Sequence, residues 1–481
     1  MSEAPESADA DDPSPSLLVI LLVVALLAGG LRFGTLAMVF PPRLTGDELY
    51  YVDTALHQAR GDGHYSKIYR SWAGWPPGHA FALSLVVDEP NANYRDLPES
   101  TLRRFLLFES AVATGTAVLV ALLGWSLLGR RTSIAAGLLA AGYPTLIAYG
   151  HYLWSENLFV FLEAAALVAA ARAAATGRWG WVVAAGVGFG TATLTREVGG
   201  LLAGAVALWW CWTGIPAWDA SRPLEARRRP AAARSLVLLA CTIAVVAPWT
   251  ARNQQRFDRL VPVSTVGWMG LREGNTLGPA WLRPDLKALE AFRARYFRIP
   301  DELERMDLAR REARSLVRSE QPAWIFKKLV RNTALFFGPD SFLFKKISRG
   351  AYGILPLGPV RGVLVLTMGI YLLVLVGAIL GIGLAWTRRR ELLPLLATLV
   401  VFGAHLVANA SSRYRLPLVP LALVFAAYAA THWRELRSVP TGVRVAWAVA
   451  IAALVIWPLV YFAPDASSLW SQGTYVIPWR P

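Results

Sequence analysis

Apolar residues in this chain fall in long blocks separated by short polar gaps, not in alternation. A helix needs about 20 apolar residues to cross a bilayer, and fewer where it packs inside a bundle. Eleven such blocks stand near residues 16–38, 106–128, 133–150, 153–174, 179–195, 198–214, 235–250, 359–386, 391–409, 416–432 and 444–463. The pattern predicts an all-α polytopic membrane protein with about 11 transmembrane helices. Two gaps are long, 41–104 and 251–357. The second holds an amphipathic stretch over 301–332, where Leu303, Met306, Leu316, Val317, Ile325 and Leu329 stand among charges. A helix covering the protein and a helix lying in the membrane interface would both read this way.

Composition agrees with the pattern. Of 481 residues 55% are hydrophobic and 17% charged, with mean hydropathy +0.40. An ordinary soluble enzyme is excluded. The net charge of +15 does not indicate nucleic acid, because no basic run is interleaved with aromatics. Cys211 and Cys241 lie singly inside apolar blocks, so neither a disulfide framework nor a structural zinc site is expected. Residues 1–15 are acidic and rich in Ser and Pro, and are expected to be disordered. They lack the positive start of a signal peptide, so the first block is expected to stay as a span.

Basic residues between the blocks give an orientation. Arg130 and Arg131 follow the second block, and Arg172 and Arg178 the fourth. Arg222, Arg227, Arg228, Arg229 and Arg234 follow the sixth, Arg388, Arg389 and Arg390 the eighth, and Arg434, Arg437 and Arg444 the tenth. If spans alternate, all these gaps share one side, which the positive-inside bias makes cytoplasmic. The N-terminus is then cytoplasmic. The loops 41–104 and 251–357 and the tail 464–481 are extracytoplasmic.

Against that frame a few arginines are out of place. Arg32, Arg196, Arg252, Arg413 and Arg415 should all lie at or near the outer face. Arginine binds phosphate in forked, permanently charged contacts, so the set suggests a phosphate site there. Headgroup snorkelling or a local pair such as Arg196 with Glu197 would serve as well for any one of them. The acids point the same way. Asp47 and Glu48 stand just past the first span, and Glu156 opens the fourth after Ser155. Carboxylates at a membrane surface are costly and raise the suspicion of function. A solvated acid pair or a compensated helix N-terminus is the plainer reading. Trp75-Pro76-Pro77-Gly78-His79 reads as a rigid turn, either lining a cavity mouth or anchoring at the interface.

Taken together, Asp47-Glu48 with Tyr51 in the first outer loop, the turn at Trp75–Gly78, Ser155-Glu156, Thr195-Arg196, Ala251-Arg252-Asn253, the stretch Gly270 to Asn275 and Arg413-Tyr414-Arg415 resemble the GT-C membrane glycosyltransferases. The resemblance covers about 17–430. It is closest to the group of protein O-mannosyltransferases and bacterial lipid A aminoarabinose transferases. It implies a catalytic membrane module over 16–250, an outer helical loop 251–357 and C-terminal spans over 358–463.

It also implies inverting transfer of a sugar from a polyprenyl-phosphate donor to a glycolipid, cell-wall glycan or protein acceptor, at the outer face of a bacterial plasma membrane. Asp47 would be the general base and Glu48 would position it or bind acceptor. Arg196, Arg252, Arg413 and Arg415 would hold the donor phosphate, and Glu156, Tyr51 and His79 would serve as second acid or on the acceptor side. A divalent cation on Asp47 and Glu156 is a further implication. The loop 251–357 shows no β-trefoil pattern, and the spans are fewer than expected for aminoarabinose transferases, so the acceptor does not carry over. A lipid-linked-sugar transporter or flippase is the alternative. It calls for inverted repeats and midplane charges, whereas the polar clusters here sit at span ends.

Overall fold

The computed structural model describes residues 16–215, 224–278, 284–339, 343, 346–347, 350–353, 355–386 and 392–463. The expected disorder of 1–15, the tail 464–481, and Arg222, Arg388, Arg389 and Arg390 lie outside the described residues, as does the side chain of Arg227.

Among the described residues there is no strand, and every expected span is helical. Among the described residues seven helices are long and apolar enough to cross a membrane, and 198–213 and 392–407 are shorter apolar helices. The protein is therefore a multi-pass, all-α membrane protein. The first, α1 (Leu17–Val39), shows the physical logic. Ile20, Val24, Ala28, Arg32 and Leu36 recur every four residues and are buried. Leu18, Leu22, Leu26 and Met38 stay exposed, as suits side chains facing lipid.

After α1 come α2 (Asp47–Ala59) and α3 (Gly78–Ser84) in the first outer loop, then α4 (Glu99–Leu128). Gly129, at φ 90°, turns the chain directly into α5 (Arg130–Gly142). The block expected as one span over 133–150 is instead two helices, because Pro144 starts α6 (Pro144–Tyr149) where it cannot continue α5. Then α7 (Ser155–Thr176), α8 (Trp179–Thr195) and α9 (Val198–Thr213) pack in sequence. α7 buries Ala164, Ala166, Ala169, Ala170, Ala171, Ala173 and Ala174. Small side chains let helices approach closely where no water drives association. α10 (Leu224–Phe257) leads the chain into the second long loop.

That loop holds α11 (Gly267–Gly274), α12 (Leu286–Arg298), α13 (Glu302–Ser319) and α14 (Trp324–Phe337). The amphipathic stretch divides into the last two, which answer to different readings. α13 buries Met306, Ala309 and Ala313 and covers the protein. α14 is inverted: Lys328, Arg331 and Asn332 are buried, while Ile325, Phe326 and Leu329 are exposed. An apolar outer face beside the bundle suits the membrane interface.

Glu302, at the start of α13, joins the two outer loops. Its carboxylate accepts from the backbone of Trp72 (2.6 Å) and Ala73 (3.1 Å) and from Thr265 Oγ1 (2.7 Å). The chain then returns through helices 357–385, 392–407, 419–431 and 441–451, with a 3-10 turn at 412–418.

Candidate active site

Gly46 adopts φ 62°, a conformation open to glycine, and α2 begins immediately after it. Asp47 and Glu48 thus fall in the first helical turn, where unsatisfied backbone N–H groups favour negative charge. Their fates differ. Asp47 lines a cavity of about 980 Å³. Glu48 is buried beneath it, accepts from Thr45 N (2.7 Å) and Leu153 N (3.3 Å), and pairs with Lys346. Glu48 therefore ties the start of α2 to two other segments, a positioning arrangement.

The cavity is walled by the start of α2, the first-loop turn, the start of α7, the end of α8, the second outer loop and residues 404–414. Charges of alternating sign run across it. Arg413 Nη1 lies 2.7 Å from Asp47 Oδ2, Arg413 Nε 3.4 Å from Glu156 Oε1, and Arg196 Nη1 2.7 Å from that same oxygen. In a partly desolvated wall such a series is mutually supporting, since each charge has an opposite neighbour. Arg196 also donates to Ser155 Oγ (3.3 Å), which receives the Tyr51 hydroxyl at 3.0 Å. Glu197, at the cavity rim, accepts from Ser264 (2.6 Å).

Asp47, Glu156, Arg196, Arg413 and Tyr51 are thus brought together, and others expected with them are not. His79 is buried behind the wall, with Nε2 2.7 Å from Glu109 and its ring edge-on to Tyr51. Arg252 donates to the carbonyls of Trp72 (2.9 Å) and His64 (3.4 Å), away from the cavity. Arg415 donates to the carbonyls of Phe336 (3.0 Å) and Gly338 at the end of α14. Arg32 does the same for Ala140 (3.1 Å) and Ala141 (3.0 Å) at the end of α5. A helix C-terminus presents unpaired carbonyls, and these arginines satisfy them. The expected convergence of all four phosphate-binding arginines thus reduces to Arg196 and Arg413.

Sequence reading missed several residues. Lys346 lines the cavity and holds Glu48. It is one of only six lysines in a chain with 48 basic residues, which was the available signal. The far wall carries Trp75, from the turn read as lining a cavity mouth, and Glu273, from the stretch Gly270 to Asn275. With them stand Tyr69, Phe297 and Arg293, which formed no motif, Arg293 as the bidentate partner of Glu273 (2.6 and 3.0 Å). Burial, with Asp47 near, pushes the Tyr69 hydroxyl up to about 12, so it stays a proton donor.

A divalent cation on Asp47 and Glu156 is a poor fit to this arrangement, because the Arg413 guanidinium stands between them. Hard cations take six or more oxygens, and zinc about four ligands. Among the described residues no group of three or more His, Cys, Asp or Glu could hold a metal ion.

Comparison with known proteins bears on the whole chain. Residues 99–249 match the family model described as dolichyl-phosphate-mannose-protein mannosyltransferase. A search of curated proteins finds no match. The oligosaccharyltransferase of Archaeoglobus fulgidus, solved with zinc and sulfate, superimposes with a TM-score of 0.52 at 15% identity, over 93% of this chain and 53% of that one. The chain has the GT-C fold. The same archaeal enzyme, AglB, solved with an inhibitory peptide and a dolichol-phosphate, gives 0.50 at 16% identity over 94% and 56%. ArnT from Cupriavidus metallidurans, bound to undecaprenyl phosphate, is a looser likeness at 0.44, with 13% identity over 94% and 71%. This GT-C chain spans little more than half the length of the archaeal enzyme.

Proposed function

We propose that this protein is a membrane glycosyltransferase that moves a sugar from a polyprenyl-phosphate carrier to an acceptor hydroxyl, with inversion, at the extracytoplasmic face. One observation carries the reading: Asp47 stands in a charged cavity at the ends of the spans, beside two arginines that share Glu156. Displacement at an anomeric carbon needs a base near the incoming hydroxyl and positive charge near the departing phosphate. Asp47 takes the acceptor proton. Arg196 and Arg413 hold the leaving phosphate. Glu156 orients both arginines, and Glu48 with Lys346 fixes the start of α2. The apolar carrier lies among the spans. The fold of an oligosaccharyltransferase solved with dolichol-phosphate supports the donor class. The loops 41–104 and 251–357 are extracytoplasmic and the N-terminus cytoplasmic, as the arginine distribution favours.

The test is consumption of a labelled polyprenyl-phosphate sugar by the purified full chain, with Asp47→Asn beside it. Turnover lost in the variant, with its thermal transition unchanged, supports the reading. Undiminished turnover in the variant overturns it.

A further inference from the structure

The far wall of the cavity plays no part in the chemistry above, yet it is built. Tyr69 and Trp75 come from the first outer loop, with ring centroids 4.9 Å apart. Phe297, at the end of α12 in the second, stands 5.7 Å from Tyr69. The join is fixed by backbone contacts: Arg70 Nη2 donates to the Phe297 carbonyl (2.5 Å), and Arg305 donates to the Arg70 carbonyl (3.0 Å). The shelf is therefore held from both loops. Beside it Arg293 and Glu273 face each other as a bidentate pair. Tyr69 and Arg293 both lie within the electrostatic reach of Asp47.

We infer that this shelf is the acceptor subsite and that the acceptor is a saccharide, its pyranose ring stacked on Tyr69 and flanked by Trp75 and Phe297, whose planes are inclined to Tyr69 by 59° and 49°, with its hydroxyls at the Glu273–Arg293 pair. A pyranose has one apolar C–H face and a rim of hydroxyls that both donate and accept. An aromatic shelf covers the first, and a carboxylate and guanidinium side by side serve the second. Because the pair is internally neutralised, it offers no net charge to select an ionic ligand. In this reading the shelf delivers the acceptor hydroxyl to Asp47 on the face of the donor sugar opposite the departing phosphate, as inversion requires. This deepens the proposed function by naming the acceptor class and rests on that reading for the role of Asp47.

The test is saturation-transfer NMR on the full chain in detergent, with methyl glycosides and short oligosaccharides as probes and an acetylated threonine amide as the peptide probe. The expected result is transfer strongest at ring C–H protons. Signals should weaken about tenfold in Tyr69→Ala and in Phe297→Ala, and persist in Tyr69→Phe, which keeps the stacking face. Asp47→Asn should still bind. Should Tyr69→Ala fail to fold, Phe297→Ala and Glu273→Gln carry the same comparison. Glycoside binding that is absent, or unchanged in every shelf variant, overturns the inference, as does binding of the threonine amide alone. The two readings fail separately. Glycosides bound on the shelf without any donor turnover would sink the transferase, whereas Asp47-dependent donor consumption without glycoside binding would sink the shelf.

Discussion

Arg413 reaches Asp47 across 366 residues of sequence, with Nη1 and Oδ2 2.7 Å apart. The contact closes the loop 41–104 against the 3-10 turn that follows the helix 392–407. Both side chains retain some exposure to the cavity, so the pair should add little to stability. Its expected weight is in function. Asp47→Asn and Arg413→Ala should each lower donor turnover by about 10²–10⁴-fold, the usual worth of a positioned proton acceptor or charge. Asp47 serves the entering proton and Arg413 the leaving phosphate, so the double variant should lose about the product of the two single losses. Steady-state rates on the four proteins decide it, and a double variant no worse than either single one would show that the pair acts only as a unit.

Glu48 and Lys346 form the opposite kind of pair. Both are buried, and each would leave an uncompensated charge if its partner were removed. Glu48→Gln should therefore destabilise by about 3–5 kcal/mol, although Glu48 does not face the cavity. Glu48→Gln combined with Lys346→Met should recover much of that loss. Thermal unfolding in detergent is the readout, and a double variant no more stable than Glu48→Gln would mean that the pairing is incidental.

Much of this was legible in the sequence because a bilayer imposes coarse rules. The helical blocks, the two long loops and the gathering of Asp47, Glu156, Arg196 and Arg413 at one cavity followed from hydropathy and charge placement. The single block at 133–150 failed on Pro144, which a window average does not register. Arg32 and Arg415 could not be told from the cavity arginines for a different reason. A helix C-terminus is as hungry for a guanidinium as a phosphate is, and only packing shows which is near. Of the aromatic shelf only Trp75 was legible, as part of a turn; Tyr69 and Phe297 stand far apart in sequence and meet where Arg70, Glu302 and Arg305 join the two loops.

The two kinds of arginine can be separated by experiment. Arg415 is buried, donates to the carbonyls of Phe336 and Gly338, and stacks on Tyr371 at 3.8 Å. Arg196 lines the cavity against Glu156. Arg415→Ala should cost about 1–3 kcal/mol of stability by orphaning buried carbonyls, with donor affinity retained. Arg196→Ala should leave the thermal transition nearly in place and weaken donor binding at least tenfold. Donor titrations alongside melting curves give the comparison, and an interchange of the two phenotypes would return Arg415 to the phosphate site.

Lys328 offers a test that depends on pH. Its ammonium is buried on α14 and donates to the carbonyls of Gly274 (2.9 Å) and Ala408 (2.8 Å), which joins the second outer loop to the segment that carries Arg413. Burial, aided by the neighbouring Arg331 charge, pulls its pKa down to about 7. An unfolded lysine titrates near 10.4. Between these values the unfolded chain binds the proton and the folded chain does not, so this residue's contribution to stability rises with pH across that window and falls away toward pH 7. Lys328→Met removes the term. The melting temperature of the native protein should therefore climb relative to Lys328→Met from about pH 7 to about pH 10. A difference that stays constant over that range would show that Lys328 keeps an ordinary pKa and that the seam is solvated.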